Sequence, residues 1–386
     1  MTRRSMLSLS IAGVIAVLVA AQAVYAGDGH GKRHGHGHGS RALVFVQTNE
    51  VSGNRIVVYQ VAGDGNLSAA GSYATGGNGG IAAPGTESDR LASQGSLVFD
   101  RHHKLLFAVN AGSNSVSTFS LQGDRLQLEG VVPSGGQFPA SIAVRGNVVY
   151  VLNAGGTGIV QGFRLGRDGL SAIPDSARSL GLANTSPPDF LMSPGQVGFT
   201  PDGRQLIVTT KASGSTIDVF QVEQNGLLST TPVRNPSATP VPFAFTFTPA
   251  GRLAMGEAGM STVTTYDVQR DGTVADPKSQ ADGQTALCWI ERVGPYYYVS
   301  NTGSNTLSGF RISHDGRPAL VTSTGVVATT EPGPIDLTSP AGTPFLYAQT
   351  GVGGTIDAFL VNRDGTLTKI GNVSGLPVGM EGIAST

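Results

Sequence analysis

The chain is poor in charge, in aromatic rings and in cysteine. Lys, Arg, Asp and Glu make up 13% of its 386 residues, Phe, Trp and Tyr make up 6%, and Cys288 is the one cysteine. So little charge excludes coiled coils and helical solenoids, which need Glu and Lys in abundance. A single cysteine excludes an intramolecular disulfide and any cysteine-based zinc cluster. A formal net charge of −1 leaves no concentrated basic face for nucleic acid. What abounds is glycine, with 55 residues but no three-residue period, so collagen is excluded too. The composition that remains is that of a turn-rich, strand-rich globular protein.

Residues 1–26 read as an export signal. Arg3 and Arg4 precede an uncharged apolar run from Met6 to Val19, and Val24-Tyr25-Ala26 offers small residues for cleavage. The expected destination is the periplasm or the cell exterior, with no membrane span left after cleavage. Residues 27–41 form a Gly/His-rich flexible tail. His34, His36 and His38 in it are weak metal-ligand candidates, since alternate imidazoles on a loose chain chelate without a packed second layer. A solvated tail is the plainer reading.

One aromatic recurs seven times, at Tyr59, Phe119, Phe163, Phe220, Tyr266, Phe310 and Phe359. Asp or Asn follows five residues later in every unit, and Gly follows that in all but one. Asp-Gly between apolar runs marks a hairpin turn, because Gly accepts positive φ. Upstream of each aromatic lie two more strand-like runs, so each unit is a four-stranded meander, A to D. Seven such units predict an all-β, seven-bladed β-propeller over residues 42–386. The first unit lacks strand A, and residues 379–384 supply one at the other end. The C-terminal strand is therefore expected to complete blade 1 and close the ring.

In a meander blade the A–B and C–D turns share one face. The B–C turns and the D–A crossings share the other, around the mouth of the channel. Nine residues before the aromatics stand Asn110, Lys211, Glu257 and Asn301, and Asn153 takes the place in blade 3 after one extra residue. The starts of the A strands add Gln196, Asp336 and Glu381, with Trp289 nearby. Asn at a strand end also satisfies its own turn, and Lys211 with Glu257 could be a plain inter-blade ion pair. The long crossing at 76–94 reads either as a lid over the mouth or as a loose loop.

The stretches FAVNAGSNSVSTF (107–119), VYVLNAGGTG (149–158) and YVSNTGSNTLSGF (298–310) resemble repeats of the lactonase-type seven-bladed propellers. That family includes bacterial 6-phosphogluconolactonase and fungal carboxymuconate cyclase. SQGSLVF (93–99), QVGFTPDGRQLIVTTK (196–211) and GQTALCW (283–289) resemble its exported bacterial branch. The resemblance implies hydrolysis of a small sugar-acid or muconate-type lactone at the channel mouth. For that chemistry Glu257 is cast as base and Lys211 as oxyanion partner. Asn110, Asn153, Gln196, Asn301, Asp336, Glu381 and Trp289 are the substrate-binding candidates. No cofactor is implied, and no metal site in the propeller. The alternative is a non-catalytic exported propeller that binds a ligand or protein partner at the same face. Either form is expected to be monomeric.

Overall fold

The computed structural model describes residues 42–386. The export signal and the tail histidines His34, His36 and His38 lie outside the described residues. Seven antiparallel sheets follow one another along the chain. Their innermost A strands are Ile383–Ser385, Leu97–Asp100, Pro139–Arg145, Gln196–Phe199, Pro242–Phe247, Leu287–Val293 and Pro334–Thr338. In blades 3 and 6 the outermost strand is broken into two pieces, Arg178–Ser179 and Val326–Thr329 being the second of each. The predicted ring closure is observed. The last strand pairs with Leu43–Gln47, Val44 facing Ser385 and Val46 facing Ile383.

The B strands are apolar on both faces, as in LLFAVN and VVYVLN, because neighbouring blades cover both sides. The repeated aromatics lie on the C strands and pack between blades. Phe119, Phe220, Phe310 and Phe359 have no exposed surface. Apolar clusters straddle blade boundaries, so each blade is stabilised by burial against the next.

The Asp-Gly turns behave as the sequence predicts. Gly65, Gly169, Gly226, Gly272, Gly316 and Gly365 all have φ between +84° and +93°, where an L side chain is strained. Buried tyrosines staple these turns to the preceding blade. Tyr298 Oη donates to Gly365 O at 2.9 Å and Tyr347 Oη to Gly65 O at 2.8 Å. Among the described residues, no helix is long and apolar enough to cross a membrane.

Candidate functional site at the channel mouth

Two D–A crossings are much longer than the rest, and they build the mouth. The crossing from blade 1 to blade 2 lies along the rim and then turns into the axis. It meets the blade 3 to 4 crossing where Phe190 N donates to Ala83 O at 2.8 Å and Ala83 N to Pro188 O at 2.7 Å. Two glycines allow the close approach. A Cβ on Gly351 would lie 1.9 Å from Ser88 O, and one on Gly379 would lie 1.9 Å from Arg90 Nε.

Residues 89–95 then plug the channel, held from several blades. Ser93 Oγ donates to Ala140 O at 2.8 Å in blade 3, and Gln94 N to Gly195 O at 3.0 Å in blade 4. From blade 6 the indole N–H of Trp289 donates to Ser93 O at 3.0 Å, and Ile290 N to Gln94 Oε1 at 3.1 Å. Glu381 accepts from Leu91 N at 2.5 Å. The crossing at 76–94 is therefore neither a movable lid nor a loose loop along its last third. It is packed into the axis.

The plug divides the axis in two. On the mouth side lies a cavity of about 640 Å³ over blades 4 to 7. Its floor carries Asp89, Lys211 and Cys288, and its walls include Phe190, Leu191, Val241 and Phe243. On the opposite side a narrower cleft of about 330 Å³ is lined by Gln94, Gln196, Glu291 and Asp336, among others. Gln196 there clamps the blade 5 backbone, accepting from Phe245 N at 2.6 Å and donating to Phe245 O at 3.2 Å.

Lys211 is 1% exposed. Its ammonium donates to Ala92 O and Phe190 O, both at 2.7 Å, and lies 5.0 Å from the centre of the Phe243 ring. Burial pulls its pKa down to about 8, against the pull of Asp89 and other acids. The backbone at Lys211 has φ +46°, an uncommon conformation for a residue with a side chain. Asp89 is also buried. Its Oδ1 accepts from Ala92 N at 2.7 Å, and burial pushes its pKa up to about 6, opposed chiefly by Lys211. Glu381 is raised well above its ordinary value, by burial and then by the charge of Asp89. Burial raises the Cys288 thiol, so it stays protonated. Asp336, on the far side of the plug, is pushed up to about 7 by burial.

The two catalytic candidates read from the sequence are not brought together. Glu257 turns into its own blade, where its carboxylate accepts from the hydroxyls of Ser237, Thr239, Thr262, Thr264 and Tyr266. It does not line the cavity, and no ion pair links it to Lys211. Asn110 and Asn301 do the corresponding work in blades 2 and 6. Asn110 Nδ2 reaches Ser117 Oγ at 2.8 Å, and Asn301 Nδ2 reaches Ser308 Oγ at 2.9 Å. Asn153 donates to Ser134 O at 3.1 Å. These amides hold strand ends and crossings. Of the substrate-binding candidates, Glu381 stands behind the floor of the cavity and Trp289 secures the plug, while Gln196 and Asp336 face the opposite cleft.

Asp89 was not singled out by the sequence reading. The signal available was its charge. Glu87, Asp89 and Arg90 are the charged residues of an otherwise uncharged crossing. Nothing in the repeat points to it, because crossings lie outside the repeated strands. Among the described residues, no group of three or more His, Cys, Asp and Glu is placed to hold a metal ion.

Residues 12–167 match the family model described as Lactonase, 7-bladed beta-propeller. No curated protein matches the chain. Among solved structures, a periplasmic gluconolactonase from Pseudomonas aeruginosa is 17% identical, with TM-score 0.67 over 89% of this chain and 98% of its own. A candidate 6-phosphogluconolactonase from Bacteroides uniformis is 17% identical, with TM-score 0.66 over 90% of this chain and 99% of its own. At such identity these structures establish the shared fold. By its repeats, its seven blades and its family match, the chain is similar to the lactonase-type seven-bladed propellers, as its sequence motifs indicated.

Proposed function

We propose that the protein is an exported hydrolase of lactonase type whose chemistry takes place in the cavity over blades 4 to 7. The observation that carries this reading is a buried carboxylate, Asp89, and a buried ammonium, Lys211, at the floor of one concave site. Both have pKa values moved toward neutrality.

In this reading Asp89 takes a proton from water as the oxygen adds to the lactone carbonyl. Lys211 stabilises the oxyanion that forms. When the tetrahedral species collapses, the ring C–O bond breaks. The proton held on Asp89 passes to the departing ring oxygen, giving a hydroxy acid. Lys211 keeps the role read from the sequence, and Asp89 takes the place of Glu257 as base. The apolar walls exclude water and strengthen both electrostatic effects.

The test is acid release from sugar, muconate-type and aryl lactones as a function of pH. The expected profile of kcat/KM is a bell, rising as Asp89 ionises near pH 6 and falling as Lys211 loses its proton near pH 8. Asp89→Asn is expected to lower turnover about 100-fold and to remove the acid limb. One observation favours a second reading, a non-catalytic binding propeller. Both bonds of Lys211 go to backbone carbonyls, which is also how a purely structural lysine would hold the plug. That reading predicts ligand binding without turnover.

A further inference from the structure

The lining of the cavity also speaks to what it takes. We propose that the ligand is an uncharged, largely apolar ring, an aryl- or alkyl-bearing lactone, and not a phosphorylated or polyhydroxylated sugar lactone. The reaction in this statement rests on the hydrolytic reading above. The ligand class rests on the lining alone.

The walls are carbon. Phe190, Leu191, Val241, Phe243 and Val352 face the space. At the rim Leu191 is 53% exposed and Val352 38% exposed, so apolar surface continues to the opening. Val241 holds its place with φ +64°, a costly conformation for a β-branched residue, at the step into strand A of blade 5. Ala286 stands at the corresponding step of blade 6 with φ +58°. Both present apolar side chains to the cavity.

The polar groups are few, and most are already engaged. Among the described residues, no arginine lines the cavity. Lys211, the one cation that the described residues place in the lining, donates to two backbone carbonyls and stands beside Asp89. A phosphate monoester needs a guanidinium fork or several free N–H donors, and here it would meet a carboxylate instead. Asn305 spends its oxygen on Gly333 N at 2.8 Å, and Thr86 donates its hydroxyl to Asp89 O at 2.5 Å. The hydroxyls of a sugar ring would therefore be buried against carbon with few partners. A volume of about 640 Å³ leaves ample room for a bicyclic ring and its attacking water.

The experiment pairs binding with turnover. Binding of chroman, the cyclic ether of dihydrocoumarin without its carbonyl, is measured by calorimetry. Hydrolysis of dihydrocoumarin, glucono-δ-lactone and 6-phosphoglucono-δ-lactone is followed in parallel. The purified protein is compared with Leu191→Glu and, as a control on a distant exposed position, Leu128→Glu. Chroman binding that Leu191→Glu weakens about tenfold and Leu128→Glu leaves alone, with dihydrocoumarin the fastest substrate, supports the proposal. Chroman binding of that pattern with no lactone turned over supports the ligand class and sinks the hydrolytic reading. Preferred turnover of either sugar lactone, with chroman not bound, overturns the ligand class and leaves hydrolysis standing. Neither binding nor turnover, from a folded protein, overturns both.

Discussion

Lys211 and Glu257 occupy the same place in consecutive blades, nine residues before the repeated aromatic. Their side chains nevertheless go opposite ways. Glu257 ends strand Leu253–Glu257 and turns inward to hydroxyls of its own blade, those of Thr262 and Thr264 on the following strand Thr262–Val268 among them. Asn110 and Asn301 do the same with Ser and Thr at the same two offsets. In blade 4 this inward place is taken by Thr210, whose hydroxyl meets that of Thr216 at 3.0 Å. Lys211 falls two residues beyond the end of the strand Gln205–Thr209, with left-handed backbone, and reaches the axis. The repeat thus sets where a backbone position lies. A single residue of slippage at a strand end decides whether its side chain serves the blade or the cavity.

The comparison breaks most readily at Lys211. Lys211→Met is expected to lower turnover on the preferred lactone by about 100-fold or more, with the fold retained by circular dichroism. Unchanged turnover in a folded Lys211→Met would reduce Lys211 to a prop for the plug. Glu257→Gln should act on stability instead. It replaces an acceptor served by five hydroxyls with an amide that must donate into the same cage, at a cost of about 2 kcal/mol. Urea denaturation would register that cost, and turnover per folded molecule should stay close to the parent. A folded Glu257→Gln that loses turnover as steeply as Lys211→Met would restore Glu257 as the base and end the contrast between the two blades.

The smallest effect concerns the cleft on the other side of the plug. Asp336 has a folded pKa of about 7 against an ordinary 3.8, so the folded state keeps a proton that the unfolded chain gives up. Its contribution is full below about pH 4 and is lost as pH rises to about 7. Asp89 and Glu381 have the same sign. Lys211, lowered from 10.5 to about 8, has the reverse sign and restores stability as pH rises through that interval. The urea midpoint is therefore expected to fall from pH 4 to pH 7, and Asp336→Asn to flatten part of that fall. An unaltered slope in Asp336→Asn would leave it to Asp89, Glu381 and Glu291, the last of these pushed up to about 8 by burial.

The architecture was legible because it is written in local, repeated chemistry. Seven aromatics, seven turn signals and the split first blade specify strand count, blade count and ring closure, and each has a direct physical cause in φ preference and burial. The mouth was legible as a face, since turns alternate in a meander. Its contents were only partly so. Lys211 was found because it breaks the Asn pattern. Asp89 was missed because it lies in a crossing, where no period constrains the chain.

By itself, then, the sequence determined the seven-bladed ring, the strand that closes it and the face toward which a site would open. Only the tertiary structure decided that residues 89–95 fill the axis, that Asp89 joins Lys211 under an apolar cavity, and that Glu257 is spent on its own blade. The division has a physical reason. Strands and turns follow from neighbours in the chain, whereas the environment of a buried charge is made by segments far apart in sequence that meet only when the ring has closed.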